Sequence, residues 1–333
     1  MSEPILTPCL RGLARVLAGL ALATLALAAP PAPAQTYPAR PVRLIVGFAP
    51  GGVADLTARV VAQKLATLLG QQVIVDNRPS AGGIVAAEAV AKAEPDGHTL
   101  LLMTNGNAVS ASLFRTLPYD TRNDFAPVST LGFFDVAVVA SGESHIGTIA
   151  QLLAYGKANP GKLNIGTINT GSTQNLAAEL FRSMTGIDAT VVPYKGSPAL
   201  VTALRSNDVQ VAFEMLAPIL PQAQAGAVKL IAVASERRSP AQPDLPTVAE
   251  SGVPGYTATS WNAIAAPART PRAVIDRLAQ AIAQALADPA VQEKLAAQGV
   301  AARASTPAQM QQLVAADIDK WRKVIRDARI EPQ

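Results

Sequence analysis

Short apolar runs that read as buried strands alternate along this chain with segments of 3.6-residue apolar periodicity, which restricts it to an α/β fold on a mostly parallel sheet. The first run, Val42-Arg43-Leu44-Ile45-Val46, passes through residues 47–52 into a helix with Val60, Val61, Leu65, Leu68 and Leu69 on its apolar side, closed by Gly70. Residues 72–76 form the next strand, followed by the loop 77–83, an Ala-rich helix to about Ala93 and a third strand at 100–103, closed by Thr104-Asn105-Gly106-Asn107. A further strand is predicted at 136–140 and a helix at 149–158, stopped by Asn159-Pro160-Gly161. The unit then recurs. Residues 163–166 lead through 167–173 into a helix bearing Leu176, Leu180, Phe181 and Met184, and residues 189–192 lead through 193–197 into a helix with Pro198 at its first position. Strands at 209–213 and 229–233 follow. The last third is helical, with starts at Thr270-Pro271, Asp288-Pro289 and Thr306-Pro307 and a stop at Gly299.

The first 34 residues stand apart. Arg11 and Arg15 precede the short apolar stretch 16–29, and Ala32-Pro33-Ala34 fits a small-x-small cleavage site, so residues 1–34 are expected to be a secretory signal peptide and the protein periplasmic. The single cysteine, Cys9, falls in that segment. The remainder therefore excludes thiol catalysis, zinc-thiolate sites and disulfides. Lys and Arg are scattered with no basic run and aromatics make up 4% of the 333 residues, which argues against a nucleic-acid groove. A chain of this length fits two domains or one large one.

Catalytic chemistry has little to work with. The two histidines, His98 and His145, stand in unrelated contexts, and no HExxH, GxSxG, GxxxxGK[ST] or GxGxxG string occurs. Gly47-x-x-x-Gly51-Gly52 has the wrong spacing for a dinucleotide loop. What recurs is a glycine-bearing loop between a strand and a helix: Pro50-Gly51-Gly52, Ser80-Ala81-Gly82-Gly83, Thr170-Gly171-Ser172-Thr173 and Lys195-Gly196-Ser197. Each is compatible with ordinary βα-turn chemistry. Each also leaves backbone N–H groups unpaired at the positive end of a helix dipole, where glycine lets an anion approach, and such loops gather at the carboxyl ends of parallel strands. Asp55 has two readings: favourable interaction with the helix dipole, worth about 0.3–1 kcal/mol, or an acceptor for a ligand's amine or hydroxyl. Lys195 reads as a solvated lysine, Tyr194 as partly buried, and Trp261 and Trp321 as core.

Several longer strings resemble a known family. They are Tyr37-Pro38-x-Arg40-Pro41-Val42-x-Leu44-Ile45-Val46, Phe48-x-Pro50-Gly51-Gly52-x-x-Asp55-x-x-Ala58-Arg59, Val192-Pro193-Tyr194-Lys195-Gly196, and the run from Leu245-Pro246-Thr247 through Pro254-Gly255-Tyr256. In this order they resemble the Bug family, periplasmic solute-binding proteins of tripartite tricarboxylate transporters. The resemblance implies a two-lobed type II periplasmic binding protein, α/β throughout, with a ligand cleft between lobe 1 (residues 35–134 and 258–333) and lobe 2 (residues 135–257). It implies a carboxylate ligand held largely by backbone amides and water. Gly51, Gly52 and Asp55 would lie on one side and Thr167, Gly171, Ser172, Thr173, Tyr194, Lys195 and Gly196 on the other, with Phe48, Asn105 and Glu214 completing the set. Asn175 stands where many relatives carry His, Glu214 where they carry Asp, and residues 167–170 lack the usual Ser/Gly-rich sequence, so ligand identity does not carry over. The expectation is a monomeric, non-enzymatic protein without cofactor or metal, presenting a di- or tricarboxylate, amino acid or aromatic acid to permease subunits. A sensor handing the solute to a receptor would use the same cleft, and an exported hydrolase would need a nucleophile and base that two histidines do not supply.

Overall fold

The computed structural model describes residues 37–239, 241–327 and 329–332. The expected signal peptide lies outside the described residues. From Arg40 on the chain forms one compact unit. Its first half runs β1 (Val42–Val46), α1 (Val53–Leu69), β2 (Val73–Asn77), a 3₁₀ turn (Ala81–Gly83), α2 (Ile84–Ala91), β3 (Thr99–Thr104) and α3 (Asn105–Leu113). The long β4 (Phe125–Ser141) and α4 (Ile149–Ala158) lead into the second series. That series is β5 (Leu163–Ile168), α5 (Thr173–Thr185), β6 (Ala189–Tyr194), α6 (Ser197–Arg205), β7 (Val211–Met215), α7 (Leu216–Gln224) and β8 (Val228–Val233). β9 (Thr259–Pro267), α8 (Arg272–Ala287), α9 (Pro289–Ala296), β10 (Ala301–Ala302) and α10 (Pro307–Asp327) complete it.

The strands join in the order β2-β1-β3-β9-β4-β7-β5-β6, with β8 and β10 also pairing β4. In each half the first strand lies between the second and third in parallel, and the third pairs a long antiparallel strand, β9 in one half and β4 in the other. The registers correspond. Val46 pairs Leu102 in the first half and Gly166 pairs Ala212 in the second. Val46 therefore matches Gly166, and Thr104 matches Glu214, each two residues beyond its paired position. β4 connects the halves: residues 125–135 pair β9, and 136–141 pair β7 and β8.

Several sequence expectations change. The strand expected at 136–140 is the end of a 17-residue strand, and β9 was not predicted as a strand. Both are buried along most of their length, so they show no apolar/polar alternation. The Thr104-Asn105-Gly106-Asn107 stretch does not close β3 as a loop. Thr104 and Asn107 form a capping box that starts α3. Pro198 is the second residue of α6, not the first. Met184, expected on the apolar side of α5, is 43% exposed, whereas Leu176, Ala177 and Phe181 are buried. The starts at Asp288 and Thr306 hold: Asp288 caps Ala290, and Thr306 and Gln309 bond reciprocally.

Candidate functional site

Two strand-to-helix junctions are built alike. Gly51 follows Val46 by five residues and takes a φ of 88°, a region glycine enters without steric penalty. Gly52 is extended at the N-cap of α1 and offers no capping side chain. Asp55, 1% exposed, turns back from the first turn of the helix. Its Oδ2 accepts from the Gly51 N–H at 2.9 Å and from Arg59 Nε at 3.0 Å. Its Oδ1 accepts from Asn77 Nδ2 at 2.9 Å and pairs with Arg59 Nη2 at 3.0 Å. Asn77 Nδ2 also reaches the Phe48 carbonyl at 3.0 Å. All four acceptor positions of Asp55 are thus filled, and the carboxylate fixes the shape of the 48–52 loop. Burial alone would raise its pKa. Hydrogen bonds from Arg59, Gly51 and Asn77, with the Arg59 charge, outweigh burial and hold it below the ordinary value.

The second junction repeats the device with a neutral side chain. Gly171 follows Gly166 by five residues at a φ of 79°, and its N–H donates to Asn175 Oδ1 at 3.0 Å. Asn175 Nδ2 donates to Thr167 Oγ1 at 3.3 Å. Ser172 caps α5: its Oγ accepts from the Asn175 N–H at 3.1 Å and donates to the Ile168 carbonyl at 2.8 Å. At both junctions the first helical amides have no acceptor among the described residues, Gly52 and Val53 at α1 and Thr173 and Gln174 at α5.

The other loops differ. The Tyr194 carbonyl accepts both the Asn169 and the Gly196 N–H groups at 2.9 Å, so Gly196, with a φ of 95°, spends its amide on a tight turn. Lys195 is exposed and has no ion-pair partner among the described residues. Tyr194 is half-buried, and burial followed by the Asp208 charge raises its pKa. The 80–83 loop is consumed by packing: a Cβ on Gly82 would come within 2.3 Å of Ser110 Oγ, and one on Gly47 within 2.8 Å of Gly83 Cα.

Asn105 joins the two halves. It is fully buried at the first position of α3, donates to Asp317 Oδ2 at 2.8 Å and accepts from Thr173 Oγ1 at 3.0 Å. Thr173 Oγ1 lies 3.4 Å from Ser260 Oγ, and Trp261 Nε1 donates to the same Asp317 oxygen at 2.6 Å. The Phe48 ring would lie 3.9 Å from a Cβ placed on Gly106. Asn105 and Thr173 therefore link the start of α3 in the first half to the start of α5 in the second, with Phe48 near Gly106 in the first turn of α3. Glu214, 1% exposed at the end of β7, accepts on Oε1 from Gln174 Nε2 at 2.9 Å and from the Met215 N–H at 2.7 Å. Sequence reasoning did not single out Gln174, Ser260 or Asp317. No spacing could have linked Asp317 to Asn105, 212 residues away.

The arrangement offers backbone donors at two helix N-termini. Ser172 Oγ, the hydroxyl at the second junction, is bonded to backbone groups and has no base beside it. Among the described residues no cluster of His, Cys, Asp or Glu is placed to hold a metal. A cavity of about 380 Å³, lined in part by Phe114, Tyr119, Arg122 and Ile318, shares none of the site residues.

A family model described as the tripartite tricarboxylate transporter family receptor matches residues 57–330. Protein BugT of Bordetella pertussis is 38% identical over 311 residues, covering 93% of this chain and 95% of BugT. Among solved structures, that of R. palustris Rpa4515 with adipate aligns with a TM-score of 0.78 at 35% identity, covering 89% of this chain and 100% of that one. The periplasmic binding protein BugD aligns with a TM-score of 0.75 at 31% identity, again covering 89% and 100%. The fold is that of the two-lobed periplasmic binding proteins, as the sequence predicted.

Proposed function

Because the chain belongs to the tripartite tricarboxylate transporter receptor family of periplasmic solute-binding proteins, we propose that it captures a small carboxylate between its two junctions and presents it to membrane permease subunits. The observation that carries this reading is the pair of junctions, each shaped by an acceptor four residues beyond a positive-φ glycine and each leaving its first helical amides unpaired. Backbone donors suit a receptor that must release its cargo, since an empty site then holds no desolvated lysine or arginine. The adipate in the structure of Rpa4515, itself a dicarboxylate, supports the same ligand class here. In this reading residues 35–134 and 258–333 form one lobe and 135–257 the other. The chain is exported by its first 34 residues and works as a monomer. The bound ligand bridges the lobes and favours the closed state through its differential contacts.

Gly52→Val tests it. Gly52 has a φ of −79° and a ψ of 166°, and a Cβ there would meet only the Ala49 carbonyl, at 3.8 Å. The fold therefore tolerates the side chain while the isopropyl group covers the loop amides. Titration calorimetry against mono-, di- and tricarboxylates should show binding by the unaltered protein and at least a roughly tenfold loss in the variant, about 1.4 kcal/mol, at unchanged unfolding temperature. Equal affinity in the two proteins would overturn the loop assignment.

A further inference from the structure

Glu214 carries more chemistry than its place in the sheet requires. Its Oε1 is satisfied by Gln174 and Met215, but Oε2 is buried and has no hydrogen-bond partner among the described residues. No lysine, arginine or histidine pairs with it among the described residues. A buried carboxyl oxygen with idle lone pairs is disfavoured unless a donor meets it in some state of the protein. Its position is specific. β7 runs parallel to β5, so Glu214 sits at the carboxyl end of its strand, where the 169–172 loop leaves β5. Gln174, which holds Oε1, is the second residue of α5, and its own amide and that of Thr173 are unpaired. At the matching position of the first half stands Thr104, whose hydroxyl serves in the capping box of α3. Glu214 holds Gln174 and the Met215 N–H through Oε1 alone, so Oε2 is surplus to those structural contacts.

We propose that Glu214 selects the ligand: the α5 amides take a carboxylate while Oε2 accepts a hydrogen bond from a hydroxyl or ammonium group carried next to it. This rests on the carboxylate reading given above and narrows it, from carboxylates in general to hydroxy acids and amino acids. The pairing has a simple logic, because amides can only donate and a carboxylate oxygen can only accept. Together they match a ligand that presents an anion and a donor side by side, and a plain dicarboxylate leaves the acceptor unmet.

Matched ligand series read by titration calorimetry test this: succinate, malate and aspartate, and glutarate, 2-hydroxyglutarate and glutamate. In the unaltered protein the best donor-bearing member of a series should bind about 10- to 100-fold tighter than its plain parent, the value of one hydrogen bond to a charged group. Glu214→Gln keeps an oxygen for Gln174 and Met215 and places an NH₂ at Oε2. It should bring the donor-bearing ligands to within about threefold of their plain parent. Equal affinities across each series in the unaltered protein overturn the proposal whatever the variant does, and so does a preference that survives in Glu214→Gln. Both results leave the carboxylate reading standing. Failure of every carboxylate to bind folded protein overturns that reading and this proposal with it.

Discussion

Replacing Asp55 should loosen the first junction without removing a ligand contact, and the size of the effect follows from its bonds. Asp55→Ala deprives the Gly51 N–H and the Asn77 amide of a carboxylate acceptor, at about 1–1.5 kcal/mol each. The Arg59 side chain is 50% exposed, so its pair adds about 0.5 kcal/mol after solvent screening. The total is about 2.5–3.5 kcal/mol, or about 4–6 °C in unfolding temperature for a chain of this size. Asp55→Asn should cost about half as much, because Asn175 holds Gly171 with an amide oxygen in the same geometry. Ligand affinity should fall about tenfold in Asp55→Ala, through lost preorganisation of the loop, and equally for plain and donor-bearing carboxylates. The pH dependence has a definite sign. The folded-state pKa lies below its ordinary value, so the stabilisation is present above about pH 4 and is lost as pH falls through the folded pKa. The unfolding midpoints of the unaltered protein and Asp55→Ala should therefore converge on acidification. Denaturant titrations from pH 7 to pH 3 measure this. Unchanged stability, with loss confined to amino- and hydroxy-bearing ligands, would refute the reasoning and make Asp55 a direct contact.

Two further predictions concern the second junction and the link between the halves. Gly171→Ala combines a φ of 79° with a Cβ that would come within 2.3 Å of Leu113 Cδ2, so it should lower both stability and affinity. Adding Leu113→Ala should restore the affinity but not the stability, and failure of the double variant to recover any binding would show that the contact with α3 is not the obstacle. Asp317→Ala leaves the buried donors Asn105 Nδ2 and Trp261 Nε1 without their shared acceptor, at about 2–3 kcal/mol, measurable by guanidinium unfolding. A change below about 0.5 kcal/mol would mean that water replaces the carboxylate fully.

The parts of this fold that were legible in the sequence are those whose signals are local. Val42–Val46 with its glycine loop, the αL closure at Gly70 and the caps at Asp288 and Thr306 each declare themselves within a few residues. β9 does not, because Thr-Ser-Trp-Asn-Ala-Ile-Ala-Ala-Pro is buried almost throughout and small residues on both faces erase the period of two. α7 does not declare itself either, because Pro218 and Pro221 fall within its nine residues. Pro218 lies in the first turn, where its missing N–H is harmless, and Pro221 is tolerated inside a short helix. At the candidate site, the glycines mark the loops, and it is the family resemblance, not any local pattern, that implies they share one cleft. The residues that hold the loops in shape, Arg59, Asn77 and Asp317, could not be assigned, because their partners depend on which strand ends the topology brings together.

The two junctions share a geometry but not a charge, and the difference follows from their neighbours. Asp55 can remain ionised while 1% exposed because Arg59 stands one turn further along the same helix. The residue matching Arg59 in the second half is Glu179, which pairs with Arg182 in its own helix. An acid at position 175 would therefore have a carboxylate, not a guanidinium, one turn away. It would also stand beside Gln174, which is hydrogen-bonded to the carboxyl of Glu214, so that carboxyl groups would accumulate around the first turn of α5. Asparagine supplies the acceptor that Gly171 needs and a donor for Thr167 without adding charge. The second junction thereby keeps its single carboxyl group in Glu214, whose free oxygen is not masked by a neighbouring cation. The first junction, with its carboxylate neutralised within its own loop, presents backbone donors alone.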